Sequence, residues 1–211
     1  MIVMTVVGSG MAQLEEATIV LGTQGRARRA YSRAINHTGD IVRNEAGSAL
    51  SAQTGLPNRT GKKAYRISGE RAKPDTLTYV VNGQGGDIAL KYFKARETKK
   101  GVSAAPRNAR RVFASTFMKA GWWPKRVGKP NWNKQVFIRQ GDGYKYNISK
   151  NNPFNAKRER MKTNFRKVKS GVFVPQEMVQ GLAAEAWRKG AQRLQPRVEH
   201  EVRAMTKGIV S

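Results

Sequence analysis

Two runs of cations hold most of the chemistry this sequence offers. Lys99, Lys100, Arg107, Arg110 and Arg111 form the first, and Lys157, Arg158, Arg160 and Lys162 the second. Ammonium and guanidinium groups at that density can neutralise phosphates without reading bases. The same groups would also serve for docking on an acidic protein surface, or for solubility. Between the runs, Trp122, Trp123 and Trp132 are interleaved with Lys119, Lys125, Arg126, Lys129 and Lys134. Rings among cations can stack on unpaired bases, and tryptophan is also a favoured anchor of protein–protein contacts.

Groups suited to turnover are sparse. The chain has no cysteine, which excludes a disulfide framework, thiolate catalysis and cysteine-ligated zinc. His37 and His200 are the two histidines. A metal-dependent nuclease would need converging carboxylates, but Asp75 and Asp87 lie twelve residues apart. Glu199 and Glu201 flank His200, and on a helix they project about 200° apart. Gly83-Gln84-Gly85-Gly86 has the glycines of a phosphate loop but no following Lys-Ser/Thr, so a tight turn between strands is expected. No catalytic residue, metal ligand or cofactor is assigned, and the chain is expected to be a non-enzyme.

The charge is unevenly distributed. Of the formal net charge of +26, residues 91–170 carry +20, with 23 basic and three acidic side chains. The flanks are nearly balanced, at +4 over residues 1–90 and +2 over 171–211. One domain spanning 1–211 is expected, with an N-terminal strand and arm (1–25), a basic loop-rich insertion (94–170) and a C-terminal helix (171–211). No run of about 18 apolar residues exists, and Met1 to Val7 lacks the basic start of a signal peptide. The protein is therefore expected to work in solution, with no membrane partner.

Periodicity supplies the elements. Met1 to Val7 is rich in apolar and β-branched residues and predicts a strand, either paired within its own subunit or added to a neighbour's sheet. Ala12 to Leu21 predicts a helix. From Arg26 to about Ser51 a longer one follows, with Ala27, Tyr31, Ala34, Ile35, Thr38, Ile41, Val42, Glu45 and Ala49 on one stripe. Arg26, Arg28, Arg29 and Arg33 crowd its first turns, where the helix dipole disfavours cations. Gly55-Leu56-Pro57 ends it. Strands are expected over 64–70, 76–81 and 88–93, another over 111–117, and a hairpin of 136–139 with 144–148. Pro175 opens a closing helix that carries Trp187 on its apolar face and should break or kink at Pro196. The fold class is α+β: a small, mostly antiparallel sheet packed by a long helix from the N-terminal half and a C-terminal helix, with long basic loops.

Three stretches, taken in order, resemble the minor tail protein Z (tail completion) family of tailed bacteriophages. The first is Arg28-Arg29-Ala30-Tyr31-Ser32-Arg33-Ala34-Ile35-Asn36-His37-Thr38. The second runs from Ile88-Ala89-Leu90-Lys91-Tyr92-Phe93 through Lys99-Lys100-Gly101-Val102-Ser103 to Phe117 and Val136-Phe137-Ile138-Arg139. The third is Val174-Pro175-Gln176-Glu177-Met178, followed by Leu194 and Arg197-Val198-Glu199-His200-Glu201-Val202. The similarity covers roughly residues 26–207, and the segment from Gly121 to Trp132 departs from it.

The resemblance implies a structural virion protein that finishes the head-proximal end of the tail and supports head–tail joining. It would be found in the host cytoplasm during assembly and in the neck afterwards. Implied partners are further copies of the chain in a hexameric ring, the tail tube or tail terminator, the head–tail connector, the C-terminus of the tape measure, and genomic DNA through non-specific contact. Six copies would gather on the order of 120 excess positive charges around one axis. As that DNA is duplex, the resemblance favours Trp122, Trp123 and Trp132 as protein-interface residues. A basic RNA-binding protein of ribosomal type and a metal-dependent nuclease are the competing classes.

Overall fold

The computed structural model describes residues 2–5, 9–22, 24–67, 71–83, 85–121, 124–139 and 165–205. The chain divides into two compact units, Met1–Gly86 with Val172–Ser211, and Asp87–Gly171.

The first unit is built around one long helix. A strand β1 (Ile2–Thr5) and a helix α1 (Ser9–Leu21) precede α2 (Gln24–Thr54); α3 (Asn58–Ala64), β2 (Tyr65–Ile67) and β3 (Thr78–Gly83) follow it. After the second unit the chain returns as α4 (Val174–Met178), α5 (Gly181–Ala191) and α6 (Leu194–Met205). Ala30, Ala34, Thr38, Val42, Ala46, Leu50 and Thr54 are all buried and follow one another at intervals of four, making a continuous row along α2. The sequence stripe drifted from this row at its C-terminal end. Ile41 is exposed, and Glu45 reaches outward to Arg193 at 2.6 Å. On a helix of 3.6 residues per turn a row at intervals of four winds round the axis by about 40° per step, so along α2 the buried face moves round to Ala46 and Leu50.

Small residues let the neighbours approach closely. Gly190 of α5 lies against Val42, and Gly47 lies against the backbone of Lys62 in α3. Gly39 lies under the ring of Tyr79 from β3, where a Cβ would come within 2.8 Å of the ring carbons. The α+β expectation holds: the long helix packs against the C-terminal helices and against the small sheet. Gly55, at φ 78°, ends α2 by donating its N–H to the Ser51 carbonyl at 2.9 Å.

A polar row runs beside the apolar one, also at intervals of four: Arg28, Ser32, Asn36 and Asp40. Arg28 donates to the carbonyls of Pro74 (2.6 Å) and Asp75 (2.7 Å), and Ser32 to that of Ala72 (2.7 Å). Asn36 holds both backbone groups of Ala72. Asp40 accepts from the Tyr79 hydroxyl at 2.8 Å and from Arg71. Arg28, an unfavourable charge near the start of the helix, thus satisfies carbonyls of the segment that leads into β3. Arg26, Arg29 and Arg33 are exposed.

Of the two pairings open to the N-terminal strand, the one within its own chain is found: it runs antiparallel to β3 with Ile2 opposite Val81 and Thr5 opposite Thr78, giving the order β1-β3-β2. Other expectations need correction. The closing helix is three helices. Gly181, at φ 57°, separates α4 from α5, and α6 starts afresh at Leu194. The interruption expected at Pro196 falls just before it, at Gln192 and Arg193, and Pro196 itself sits in the first turn of α6, where its missing N–H has no helical partner to lose. Trp187 is buried, as its place on the apolar face predicts.

In the second unit the segment expected as irregular loops holds short strands. They are β4 (Asp87–Ala89), β5 (Arg96–Thr98), β6 (Gly101–Ala104), β7 (Arg111–Ala114), β8 (Thr116–Phe117), β9 (Phe137–Arg139), β10 (Phe165–Lys167) and β11 (Lys169–Phe173). They form the sheets β5-β6-β7, β8-β9-β10 and β4-β11. Most of these strands have two to four residues, too few for alternation to stand out, and the β8-β9-β10 and β4-β11 pairings join residues far apart in sequence. The stretch expected as a strand over 88–93 becomes β4 and a 3-10 turn over 90–92. β4 pairs with β11, so the glycines at 83–86 do not close a hairpin. The strand expected over 111–117 is split at Ser115, whose φ of 58° turns the chain from one sheet into the next. β9 pairs with β8 and β10, and its expected hairpin partner, 144–148, lies outside the described residues. Leu90, Phe93, Val102, Ala104, Phe117 and Val136 are buried here. Among the described residues no helix is long and apolar enough to cross a membrane.

Candidate functional site

The division into units is also a division of charge. Residues 87–171 contain 23 Lys and Arg against four Asp and Glu, net +19; the remainder contains 17 against ten, net +7.

Within the basic unit, Phe117 of β8, Trp132 of the 3-10 turn over 130–132, Phe137 of β9 and Phe165 of β10 form a cluster in which every ring contacts the other three. Centroid separations run from 5.1 Å for the edge-on Phe117–Phe165 pair to 6.3 Å for Phe137–Phe165. The sequence brings the rings together through the β8-β9-β10 ladder, in which Phe117 faces Phe137 and Phe165 faces Arg139. Phe117 is buried, while Phe165 is 36% exposed and Trp132 partly so.

The cluster borders a cleft of about 500 Å³. Phe117, Trp132 and Phe165 line it together with Lys99, Lys100, Lys119, Arg126 and Arg139, and among the described residues no carboxylate does. Arg139 places its guanidinium 5.7 Å from the centre of the Phe117 ring, within cation–π range. Lys99 and Lys100 arrive on the turn between β5 and β6. That turn is held by the Ser115 N–H donating to the Lys100 carbonyl (3.2 Å) and by the Val102 N–H donating to the Thr116 hydroxyl (3.0 Å). Gly101, at φ 150°, passes so close to the Phe113 carbonyl that a side chain would collide with it.

Arg126 is fixed from behind. Its Nη1 lies 2.5 Å from Oε1 of Glu97, a carboxylate with a 5% exposed side chain, and the same oxygen accepts the Met118 N–H at 3.3 Å. The ion pair anchors the loop that turns back through the Ala120–Val127 bridge to form one wall of the cleft.

The cations singled out in the sequence do not form one site. Lys99 and Lys100 line the cleft. Arg111 pairs across from Ala104 at the other end of the β6-β7 ladder, roughly 10 Å away at strand spacing. Its guanidinium lies 4.7 Å from the Phe113 ring. Arg110 donates to the Ser103 hydroxyl (3.2 Å) and the Lys94 carbonyl (3.4 Å), and Arg107 to the Gly171 carbonyl (3.4 Å). These three side chains brace the sheet edge and remain exposed. Lys157, Arg158, Arg160, Lys162, Trp122 and Trp123 lie outside the described residues. Sequence reasoning missed Phe117, Phe165 and Arg139 as site residues. They come from separate strands, and only pairing places them together. Near the C-terminus, Glu199 and His200 are exposed while Glu201 is buried against Arg197, so the carboxylates diverge.

Fold and site together define an α+β protein with a helical, weakly charged unit and a basic unit carrying an aromatic-lined cleft. No family model, curated protein or solved structure matches the chain.

Proposed function

We propose that this is a structural virion protein that completes the head-proximal end of a phage tail and supports head–tail joining by binding rather than turnover. The observation that carries the binding half of this reading is the division of charge by fold, +19 in the unit 87–171 and +7 in the rest. A compact unit so charged is destabilised by self-repulsion until a polyanion or an acidic surface offsets it. The helical unit bears much less of that burden and suits contacts between copies. The phage setting is supported by the three resembling stretches in their order. In that setting the chain forms a hexameric ring against the tail tube or terminator, with the tape measure C-terminus as a further contact, and its basic units face the connector and the packaged DNA.

The test is a reconstruction of intact virions that carry this chain. Density for it is expected at the junction of head and tail, in six-fold register. Virions whose neck lacks the chain would refute the assignment.

A further inference from the structure

We infer that the cleft between the β5-β6 turn and the four-ring cluster is a binding site for single-stranded nucleic acid, which seats an unpaired base against the rings of Trp132 and Phe165. Three features argue for this occupant. The cleft combines ring faces with cations: Phe117, Trp132 and Phe165 line it, and Lys99, Lys100, Lys119 and Arg139 are distributed around them. A phosphate needs the cations, and an unpaired base needs the rings; a duplex hides its base faces in its own stack and uses only the cations. Among the described residues the lining holds no carboxylate to repel phosphate. Its volume of about 500 Å³ lies within the range of ligand sites.

The frame is also set before any ligand arrives. Arg126 is tied to buried Glu97, and Ser115 turns the chain at a left-handed φ that a residue other than glycine adopts at a cost. Carboxylates of an acidic protein segment would satisfy the cations but leave the ring faces of Trp132 and Phe165 unused, whereas each nucleotide brings a phosphate and a flat base together. This inference rests on the polyanion reading of the basic unit for its phosphate attraction and adds to it a preference for unpaired bases.

The experiment uses the full chain and four probes: a twelve-residue oligothymidylate, an abasic deoxyribose-phosphate strand of the same length, a twelve-base-pair duplex and oligoglutamate of matched charge. Affinities are measured at several salt concentrations. Oligothymidylate is expected to bind at least about tenfold more tightly than the abasic strand at every salt concentration. Trp132→Leu and Phe165→Leu should bring it down to the abasic level while leaving abasic binding unchanged. If those substitutions disturb the ring cluster, photocrosslinking of 5-iodouracil oligonucleotide to the unaltered protein locates the base, and crosslinks should map to Trp132, Phe117 or Phe165. Equal affinity for the oligothymidylate and abasic strands would overturn the site and leave the polyanion reading standing. Crosslinks elsewhere, or oligoglutamate binding as well as oligothymidylate, would overturn it too. Failure of all four probes to bind at low salt would remove both.

Discussion

Asn36 holds the backbone of Ala72 by both of its polar groups: Nδ2 donates to the Ala72 carbonyl at 2.8 Å, and Oδ1 accepts the Ala72 N–H at 2.9 Å. One side chain on α2 thus replaces a strand partner for a residue that has none, and it sets where the chain enters β3. Ala72 is 5% exposed, so water cannot take over those bonds without local opening. Asn36→Ala should cost about 2 kcal/mol in denaturant unfolding, as the buried Ala72 N–H loses its acceptor and the Ala72 carbonyl keeps only the Ser32 hydroxyl. Asn36→Asp keeps the acceptor and loses the donor, and should fall between the two. A loss under about 0.5 kcal/mol for the alanine variant would show that the clamp is dispensable.

The contact of Gly39 with Tyr79 sets a steric limit on α2. Gly39→Ala would put a methyl group 2.8 Å from the tyrosine ring. It should destabilise by about 2 kcal/mol through overpacking, although alanine is the better helix former. Gly25 on the same helix faces open space, and Gly25→Ala should be neutral or stabilising by about 0.5 kcal/mol. Thermal melts of the pair test whether crowding or propensity governs each position.

Alkaline pH should weaken the first unit. Burial first, and the charge of Glu16 second, push the Tyr31 hydroxyl up to about 12 from an ordinary value of 10. Burial also raises Tyr65, and burial with the Asp40 bond raises Tyr79. A folded state that keeps these protons longer than the unfolded chain is favoured in full below pH 10 and loses that advantage as pH climbs toward 12 and beyond. Unfolding free energy measured against pH should therefore fall above pH 10, and less steeply in Tyr31→Phe. An unchanged slope in that variant would remove Tyr31 from the account.

The Glu97–Arg126 pair gives a stability test confined to the basic unit. Glu97→Ala leaves a guanidinium without its partner and the Met118 N–H without its acceptor, and should cost about 3 kcal/mol. Replacing both, as Glu97→Leu with Arg126→Met, should cost far less, because no charge is then left stranded. Hydrogen exchange of the β5 and β6 amides reads the effect where it occurs. Equal losses in the single and double variants would mean that the pair only fills space.

Binding to duplex DNA should depend on salt through the basic unit. Lys99→Ala with Lys100→Ala should lower the slope of log K against log salt by about 2, roughly one per phosphate contact. Arg29→Ala with Arg33→Ala removes the same charge from exposed positions on α2, outside the basic unit, and should leave the slope unchanged. Equal reductions in both pairs would mean that net charge alone drives association.

Much of the first unit could be read from residue order. A 3.6-residue stripe from Ala27 to Val42 announces α2, Gly55 marks its end, and Trp187 on an apolar face predicts a buried ring. Such signals are local, since a helix makes its hydrogen bonds within a few residues of each position. The segregation of Lys and Arg into the middle of the chain is likewise a property of sequence and needs no folding to be seen.

The cleft was not visible in that way. Phe117, Trp132, Phe137 and Phe165 span nearly fifty positions, and the register of β8, β9 and β10 makes them neighbours. Strands of two or three residues carry too little alternation to announce themselves. Folding also divided the cations, sending Lys99 and Lys100 to the aromatic face and Arg110 and Arg111 to the far end of the same sheet. Composition is additive along a chain and can be counted without coordinates; adjacency in a sheet depends on pairing across distance, which the folded chain alone settles.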